Sequence, residues 1–459
     1  MECHGAAREV TGSCHRVVLG EHSVLLDCGL FQGEAQERNK QPFPFSPGEI
    51  DAVVLSHAHI DHSGRLPLLV KQGFRGPIYT HPATRDLCSI MLRDSAYIHE
   101  REAAWENRQR RRKGQEPIEP LYTQEDAEKA MEQFEVLDYG EARDILPRIR
   151  VRLRDAGHIL GAAIVELWLD AQKRPRKLVF SGDLGHRNKP LLCDPEPVEE
   201  ADLVVLESTY GDREHRSWEA TWRELGEILE AADHEKGNIL VPAFAVGRTQ
   251  QLLYAFQRHF DEWRLDRWKI FLDSPLAIEA TEVYARHSDV YDPAALRAHR
   301  ESGSLFELPN FELCPDAEDS MKLNEQKSGA IIIAGSGMCT GGRIKHHLKQ
   351  HAVRPGCHLV ITGFQARGTL GRALVDGTKR VRLYGDEVHI AAQVHTVGGL
   401  SAHADLTGLA AWYGCFRGRP PVALVHGEPE PMDELARHLK REHRPRKIVC
   451  PRAGESVEL

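Results

Sequence analysis

Three imidazoles and one carboxylate fall within six residues at His57-Ala58-His59-Ile60-Asp61-His62. They follow Asp51-Ala-Val-Val-Leu-Ser56, a short, apolar, β-branched run that reads as a buried strand. His57 and His59 are two apart, so an extended segment projects both to the same side. Asp61 and His62 are adjacent and point apart, so the economical solution is two metal ions. One ion falls to His57 and His59, the other to Asp61 and His62. Imidazole and carboxylate without thiolate suit Zn²⁺, Mn²⁺ or Fe, and positions left open to water favour catalysis over a structural site. The competing reading is a surface loop that happens to be His-rich. With 25 His in 459 residues, this density would be a rare coincidence.

Further donors lie along the chain, each where an apolar run stops. Asp27 closes the run from Ser23 to Leu26 just before Gly29, and an Asx-turn would explain it equally well. His158 stands between Gly157 and Gly161, ahead of the apolar run 162 to 167. Asp183 ends the run that starts at Lys177, and a carboxylate there can bridge two metals. Glu207 ends Asp202-Leu-Val-Val-Leu, and His426 ends Pro421-Val-Ala-Leu-Val. His403 lies in Ser401-Ala402-His403.

The elements that must carry these residues fall into two styles. Residues 1 to 30 alternate apolar and polar with Gly punctuation, as short strands do. From about 85 to 135 the pattern is helical, and within it Arg108-Gln109-Arg110-Arg111-Arg112-Lys113 forms a dense basic run ended by Gly114. That run reads either as a solvated helix end or as a phosphate-contacting patch. From about 213 to 384 helices and strands alternate, with strands at 238–242, 269–273, 330–334 and 358–362, the sign of a parallel α/β sheet. Gly335-Ser336-Gly337 and Gly341-Gly342-Arg343 make a Gly-rich turn, either a plain tight turn or backbone N–H groups offered to an anion. The segments 446–450 and 456–459 look like a short final hairpin.

Composition narrows the class. A chain of 459 residues is long for one domain, and 41% hydrophobic with 28% charged residues fits a globular protein. No apolar run reaches the length of a membrane span, and the first residues have neither the basic flank nor the apolar core of a signal peptide. Ten scattered Cys without a Cys-x-x-Cys pair suit reduced thiols and a cytoplasmic location. A net charge of −9 does not advertise a nucleic-acid binder, although a local basic surface counts for more than the sum.

Asp27, the His57–His62 motif, His158 and Asp183, in that order, resemble the metal-site motifs of the metallo-β-lactamase superfamily. Glu207, His403 and His426 resemble the three further motifs of its β-CASP branch, a branch of nucleic-acid nucleases. Similarity extends over essentially the whole chain, through Gly5 to Cys14, Pro242 to Arg248, Asp273 to Leu276 and the turn at Gly335. The resemblance implies an αβ/βα sandwich at 1–210 and 385–459, interrupted by an inserted α/β β-CASP domain at 211–384. It implies two zinc ions, one held by His57, His59 and His158 and the other by Asp61, His62 and His426. Asp183 would bridge them and Asp27 would orient ligands. Two such ions, about 3.5–4 Å apart, lower the pKa of a shared water and clamp an in-line displacement at phosphorus. Asp61 would orient the hydroxide, and His403, held by Glu207, would protonate the leaving 3′ oxygen; a structural hydrogen bond is the alternative for that pair. Substrate contacts are expected at Ser336, Gly337, Arg343 and Ser401. His at position 426 is typical of RNA-processing members, which makes single-stranded RNA the expected substrate and a compact bacterial-type ribonuclease the expected protein. The basic run 108–113 lies outside the family pattern. Thioester or lactone hydrolases share the His57–His62 motif but lack the insert and the Glu207, His403 and His426 set. A silent RNA-binding subunit would have lost ligands.

Overall fold

The computed structural model describes residues 1–459 apart from 172, 173, 364 and 367. The chain divides into two units. The first comprises 1–188, 194–214 and 403–459, and the second 189–193 and 215–402.

The first unit opens with strands β1 (Glu2–Gly5), β2 (Cys14–Leu19), β3 (His22–Leu26), β4 (Ala52–Val54), β5 (Ile78–Thr80) and β6 (Phe134–Val136). They form one sheet in that order, with β3, β4, β5 and β6 parallel. Helix α1 (Ile60–Ser63) follows β4, then α2 (Leu66–Lys71), and α3 (Pro82–Arg112) follows β5. The next strands are β7 (Ala142–Leu146), β8 (Ile149–Asp155), β9 (Ala163–Asp170), β10 (Pro175–Phe180) and β11 (Leu203–Glu207).

The chain then builds the second unit from β12 (Ile239–Pro242), β13 (Lys269–Asp273), β14 (Phe311–Leu313), β15 (Ala330–Ala334), β16 (His358–Ile361), β17 (Arg380–Leu383), β18 (Asp386–His389) and β19 (Gln393–Thr396). Its main sheet runs β14-β13-β15-β12-β16-β19, and every pairing in it is parallel. This matches the alternation of helix and strand in the sequence. β18 pairs with β17 and β19 pairs with β16, so residues 385–402 complete the second unit's sheets.

The chain returns to the first unit with β20 (Val422–Val425) and β21 (Ile448–Val449). Its second sheet runs β21-β20-β11-β10-β9-β8-β7. The expected final hairpin does not form. β21 lies parallel to β20, and the last residues instead bond to β1 through Cys3 N–H to the Glu455 carbonyl and Val457 N–H to the Met1 carbonyl. A hairpin would leave the edge of β1 open, whereas this pairing covers it.

The two sheets of the first unit pack face to face through alternate residues. Val24, Leu26 and Val54 of one meet Val151, Val165, Leu167, Phe180 and Val205 of the other in a single buried cluster. Period-two alternation on β8 and β9 is what turns these side chains inward. Because β3 runs parallel to β4, and β10 to β11 and β20, the carboxyl ends within each set finish at a common edge. β8 and β10 both run antiparallel to β9, so β8 ends at that edge too. Loops at the carboxyl ends of parallel strands are where this class of sheet builds its sites.

One close approach holds the His-rich loop. The 28–30 segment bonds to the 60–62 segment through Cys28 N–H to the His62 carbonyl and Leu30 N–H to the Ile60 carbonyl. A Cβ on Gly29 would lie 1.6 Å from the Asp61 carbonyl oxygen, so only glycine permits this pairing. Gly29→Ala is therefore expected to destabilise the protein by about 2–3 kcal/mol and to lower its zinc content. Thermal unfolding and metal analysis of the purified variant check this; an unchanged midpoint and full zinc would show that the approach is not a constraint.

Candidate metal centre

Six strand ends deliver the candidate residues. Asp27 follows β3, the His57–His62 motif follows β4, and His158 follows β8. Asp183 follows β10, Glu207 ends β11, and His426 follows β20. Asp27 and His426 adopt left-handed backbone conformations, φ 62° and 51°, which turn the chain sharply as each strand stops. Asp61 and His62 sit in the first turn of α1, with His59 just before it.

The structure gathers these donors into two adjoining groups. His59 Nδ1 lies 3.1 Å from His57 Nε2 and 3.2 Å from His158 Nε2. His62 Nε2 lies 3.0 Å from His426 Nε2, and Asp61 Oδ2 is 3.5 Å from the same His426 atom. Asp183 stands between the groups. Its Oδ2 is 3.5 Å from His57 Nε2 and 3.6 Å from His158 Nε2 on one side, and 3.3 Å from His62 Nε2 on the other. The donor atoms of His57, His59, His158 and Asp183 lie within 4.8 Å of one another, as do those of Asp61, His62 and His426. Asp183, Glu207 and His426 make a third set of the same compactness.

Hydrogen bonds fix which ring nitrogens face the centre. Ser56 N–H donates to Asp27 Oδ1 at 2.8 Å, and Ser56 Oγ donates to Asp27 Oδ2 at 3.0 Å. With its one hydroxyl proton committed, Ser56 Oγ accepts from His57 Nδ1 at 3.1 Å, leaving the lone pair on Nε2. Asp27 Oδ2 likewise receives His62 Nδ1–H at 2.7 Å, so His62 also presents Nε2. Thr209 Oγ1 donates to the His426 carbonyl at 3.1 Å and accepts from His426 Nδ1 at 3.0 Å, which orients the third ring in the same sense.

Facing lone pairs about 3 Å apart repel unless a cation lies between them. Tetrahedral zinc with Zn–N bonds near 2.0–2.1 Å separates its ligand nitrogens by about 3.3 Å. The imidazole spacing and the nitrogen and oxygen donor set therefore fit zinc. Asp183 Oδ1 is buried and accepts no hydrogen bond among the described residues, as suits a carboxylate reserved for a metal.

Electrostatics agree. Burial holds His57 and His158 well below the usual imidazole pKa and brings His59 down to about 4, so these rings stay neutral donors. Burial also opposes the charge on His62, but Asp183, Asp27 and Asp61 outweigh it and raise the ring well above its ordinary value. For Asp183, burial is outweighed by His426, His62, His403 and His57, and the carboxyl sits well below the usual range.

His403 lies beside this centre. Leu184 accepts a hydrogen bond from Ala404 N–H at 2.7 Å, and Gly185 bridges His403, which ties the segment to the loop after β10. His403 Nδ1 is 3.2 Å from both Glu207 oxygens and 3.8 Å from Asp183 Oδ2. Glu207 is held in turn by Leu184 N–H at 2.7 Å and Thr209 N–H at 3.3 Å. Burial disfavours the His403 charge, but Glu207 and then Asp183 override it and raise the pKa to about 8.

The remaining candidates belong to the second unit. Ser336 Oγ accepts from Gly341 N–H, closing the Gly-rich turn, and Gly337 packs on the Phe244 ring. Arg343 donates to Asp273 at 2.6 Å and to the Cys314 and Pro315 carbonyls, so its guanidinium braces its own unit. Ser401 lies just beyond the turn Gly398–Leu400. Sequence reasoning missed Ser13, Ser56 and Thr209. Ser13 Oγ donates to Asp27 Oδ2 at 2.9 Å, completing that carboxylate's shell. Only the nearness of Ser56 to His57, and of Thr209 to Glu207 two residues before it, could have signalled them.

Comparison with known proteins agrees with this architecture. The family model of the metallo-beta-lactamase superfamily matches residues 7–124. The Beta-Casp domain matches 249–374, and the Zn-dependent metallo-hydrolase RNA specificity domain matches 387–451. Ribonuclease TTHA0252 of Thermus thermophilus is 41% identical over 455 residues, covering 99% of both chains. Transcription termination factor FttA of Pyrococcus abyssi is 32% identical over 462 residues, covering 95% of this chain and 68% of that protein. A crystal structure of a protein of unknown function from Enterococcus faecalis V583 superposes with a TM-score of 0.54 at 13% identity, over 100% of this chain and 99% of that one, a likeness of fold. With the strand-end donor clusters, the β-CASP insert and a full-length relative in agreement, the chain belongs to the metallo-β-lactamase superfamily, in its β-CASP branch.

Proposed function

We infer that this protein is a zinc-dependent ribonuclease that hydrolyses phosphodiester bonds in single-stranded RNA, in the cytoplasm. The observation that carries the reading is the His403–Glu207 pair beside two adjoining donor groups. Such an arrangement supplies a proton donor next to a centre built for phosphoryl chemistry. The 41% identical ribonuclease and the match of an RNA specificity domain over the segment containing His403 and His426 support RNA as the substrate.

His57, His59 and His158 would hold one zinc, Asp61, His62 and His426 the other, with Asp183 shared. When bound, zinc supplies Lewis-acid stabilisation of the phosphoryl oxygens and lowers the pKa of water at the site. The chain's own residues do the rest. Asp61, partly exposed beside His426, orients the attacking water, whose oxygen bonds to phosphorus while one of its protons passes to solvent. As the P–O3′ bond breaks, His403 gives its proton to the departing 3′ oxygen, and Glu207 keeps the imidazole charged and aimed. Products are a 5′-phosphate and a 3′-hydroxyl. Ser336, Gly337 and Ser401 would contact the RNA strand, whereas the Arg343 guanidinium is taken up by Asp273 and the Cys314 and Pro315 carbonyls.

The test is zinc-loaded protein on single-stranded RNA labelled separately at each end. His403→Ala is expected to lower the cleavage rate by about 10²–10⁴ while retaining zinc. Failure of the fully loaded wild type to cut any RNA would overturn the reading. The donor form of His403 is present below its raised pKa of about 8 and lost as pH rises through it. Removing the Glu207 charge lowers that pKa, so the alkaline limb of the rate profile in Glu207→Gln is expected at lower pH than in wild type. Coincident limbs would detach Glu207 from the proton transfer. Asp27 orients His57 and His62 without being in either donor group. Asp27→Asn is accordingly expected to weaken zinc binding by about 10–100-fold. Competition with a chelator reads this directly, and an unchanged affinity would refute the orienting role.

A further inference from the structure

The basic run 108–113 is not used by this chemistry. It ends α3, a helix of 31 residues. The base of α3 touches the metal-centre loops, where Thr84 Oγ1 donates to the Gly161 carbonyl at 2.7 Å. The opposite side of its distal half is covered: Ser95 bonds Tyr122, Glu100 bonds Gln124, and Asn107 makes two hydrogen bonds to Ile118.

The uncovered side has an unusual composition. At 100° per residue, Tyr97, Ile98, Arg101, Trp105, Arg108 and Arg112 fall within an arc of about 100°. Trp105 is 60% exposed and Tyr97 46%, and Arg101 stacks over the Tyr97 ring at 5.6 Å. Arg110 is occupied by Glu106 and the Glu116 carbonyl. By contrast, Arg101, Arg108, Arg112 and Lys113 make no ion pair among the described residues. Exposed rings alternating with unpaired guanidinium groups, on a chain of net charge −9, suit a polyanion with flat faces.

We propose that this face of α3 is an accessory site for single-stranded RNA, with bases stacking on Trp105 and Tyr97 and phosphates meeting Arg108 and Arg112. The proposal rests on the ribonuclease reading for its choice of substrate. From Thr84 to Trp105 the helix rises about 30 Å, so only an RNA longer than the cleavage site itself reaches both. The face then selects for length and holds the substrate between encounters.

The test compares zinc-loaded wild type with the triple variant Trp105→Ala/Arg108→Ala/Arg112→Ala. Two RNAs are used, of about 4 and about 16 nucleotides, the ends of the usual range of single-strand footprints. The variant is expected to raise KM for the longer RNA about tenfold, leaving kcat and all constants for the shorter one unchanged. The salt dependence of binding the longer RNA is expected to fall by about 1.4 in log–log slope, for two lost phosphate contacts. Trp105→Phe, which keeps a stacking ring, should bind like wild type. An unchanged KM for the longer RNA, or equal losses on both lengths, would overturn the proposal. So would a change in oligomeric state with RNA affinity intact, which would assign the face to a second copy of the chain. Binding is also measured by anisotropy without turnover. A wild type that binds the longer RNA through this face but cuts neither would count against the ribonuclease reading alone.

Discussion

Imidazole lone pairs brought to about 3 Å of one another repel, and the catalytic unit is built around holding them there. Nothing in the rings themselves favours the arrangement. Asp27 supplies much of the restraint from outside the cluster, orienting His62 directly and His57 through Ser56. Thr209 does the same for His426. Each partner takes the proton on one ring nitrogen and so turns the other toward the centre. Burial of these rings keeps water from competing for the lone pairs and raises the affinity for a cation that relieves the repulsion.

That restraint depends on the direction of strands. Donors separated by hundreds of residues meet because the strands before them run the same way and stop at one edge. Two packed sheets each present such an edge, which is how His57 to His62 from one meets Asp183, Glu207 and His426 from the other. Loops at this edge carry no ladder of their own, so short backbone contacts, such as 28–30 against 60–62, take over the positioning. The left-handed turns at Asp27 and His426 belong to the same economy, because a strand must reverse at once to leave its terminal side chain facing inward.

Reaction chemistry follows from unequal surroundings. Burial lowers the pKa of His57, His59 and His158 further than the nearby Asp183 raises it. His403 is charged because Glu207 is its own, pinned by two backbone amides. Rings of one residue type thus differ in charge a few ångströms apart, as the proposed split between ligands and a proton donor requires.

Much of the site was legible in the chain. Six residues from His57 to His62 announce metal chemistry by donor type alone, and Asp183, Glu207 and His426 are each betrayed by an apolar run that ends in a polar residue. The parallel sheet of the second unit was visible too, because helix and strand periods alternate there. Other features were decided only by tertiary structure. Ser13, Ser56 and Thr209 are ordinary polar residues until folding sets them against Asp27 and His426. Within residues 385–402, β19 pairs with β16, a long-range contact that no local pattern announces. The final segment pairs with β1 and β20 rather than with itself, because those edges are available. Sequence by itself determined the donor types and the local periods, which are properties of neighbouring residues. Tertiary structure decided which donors lie together and which nitrogen each presents, because those depend on contacts between residues far apart in the chain.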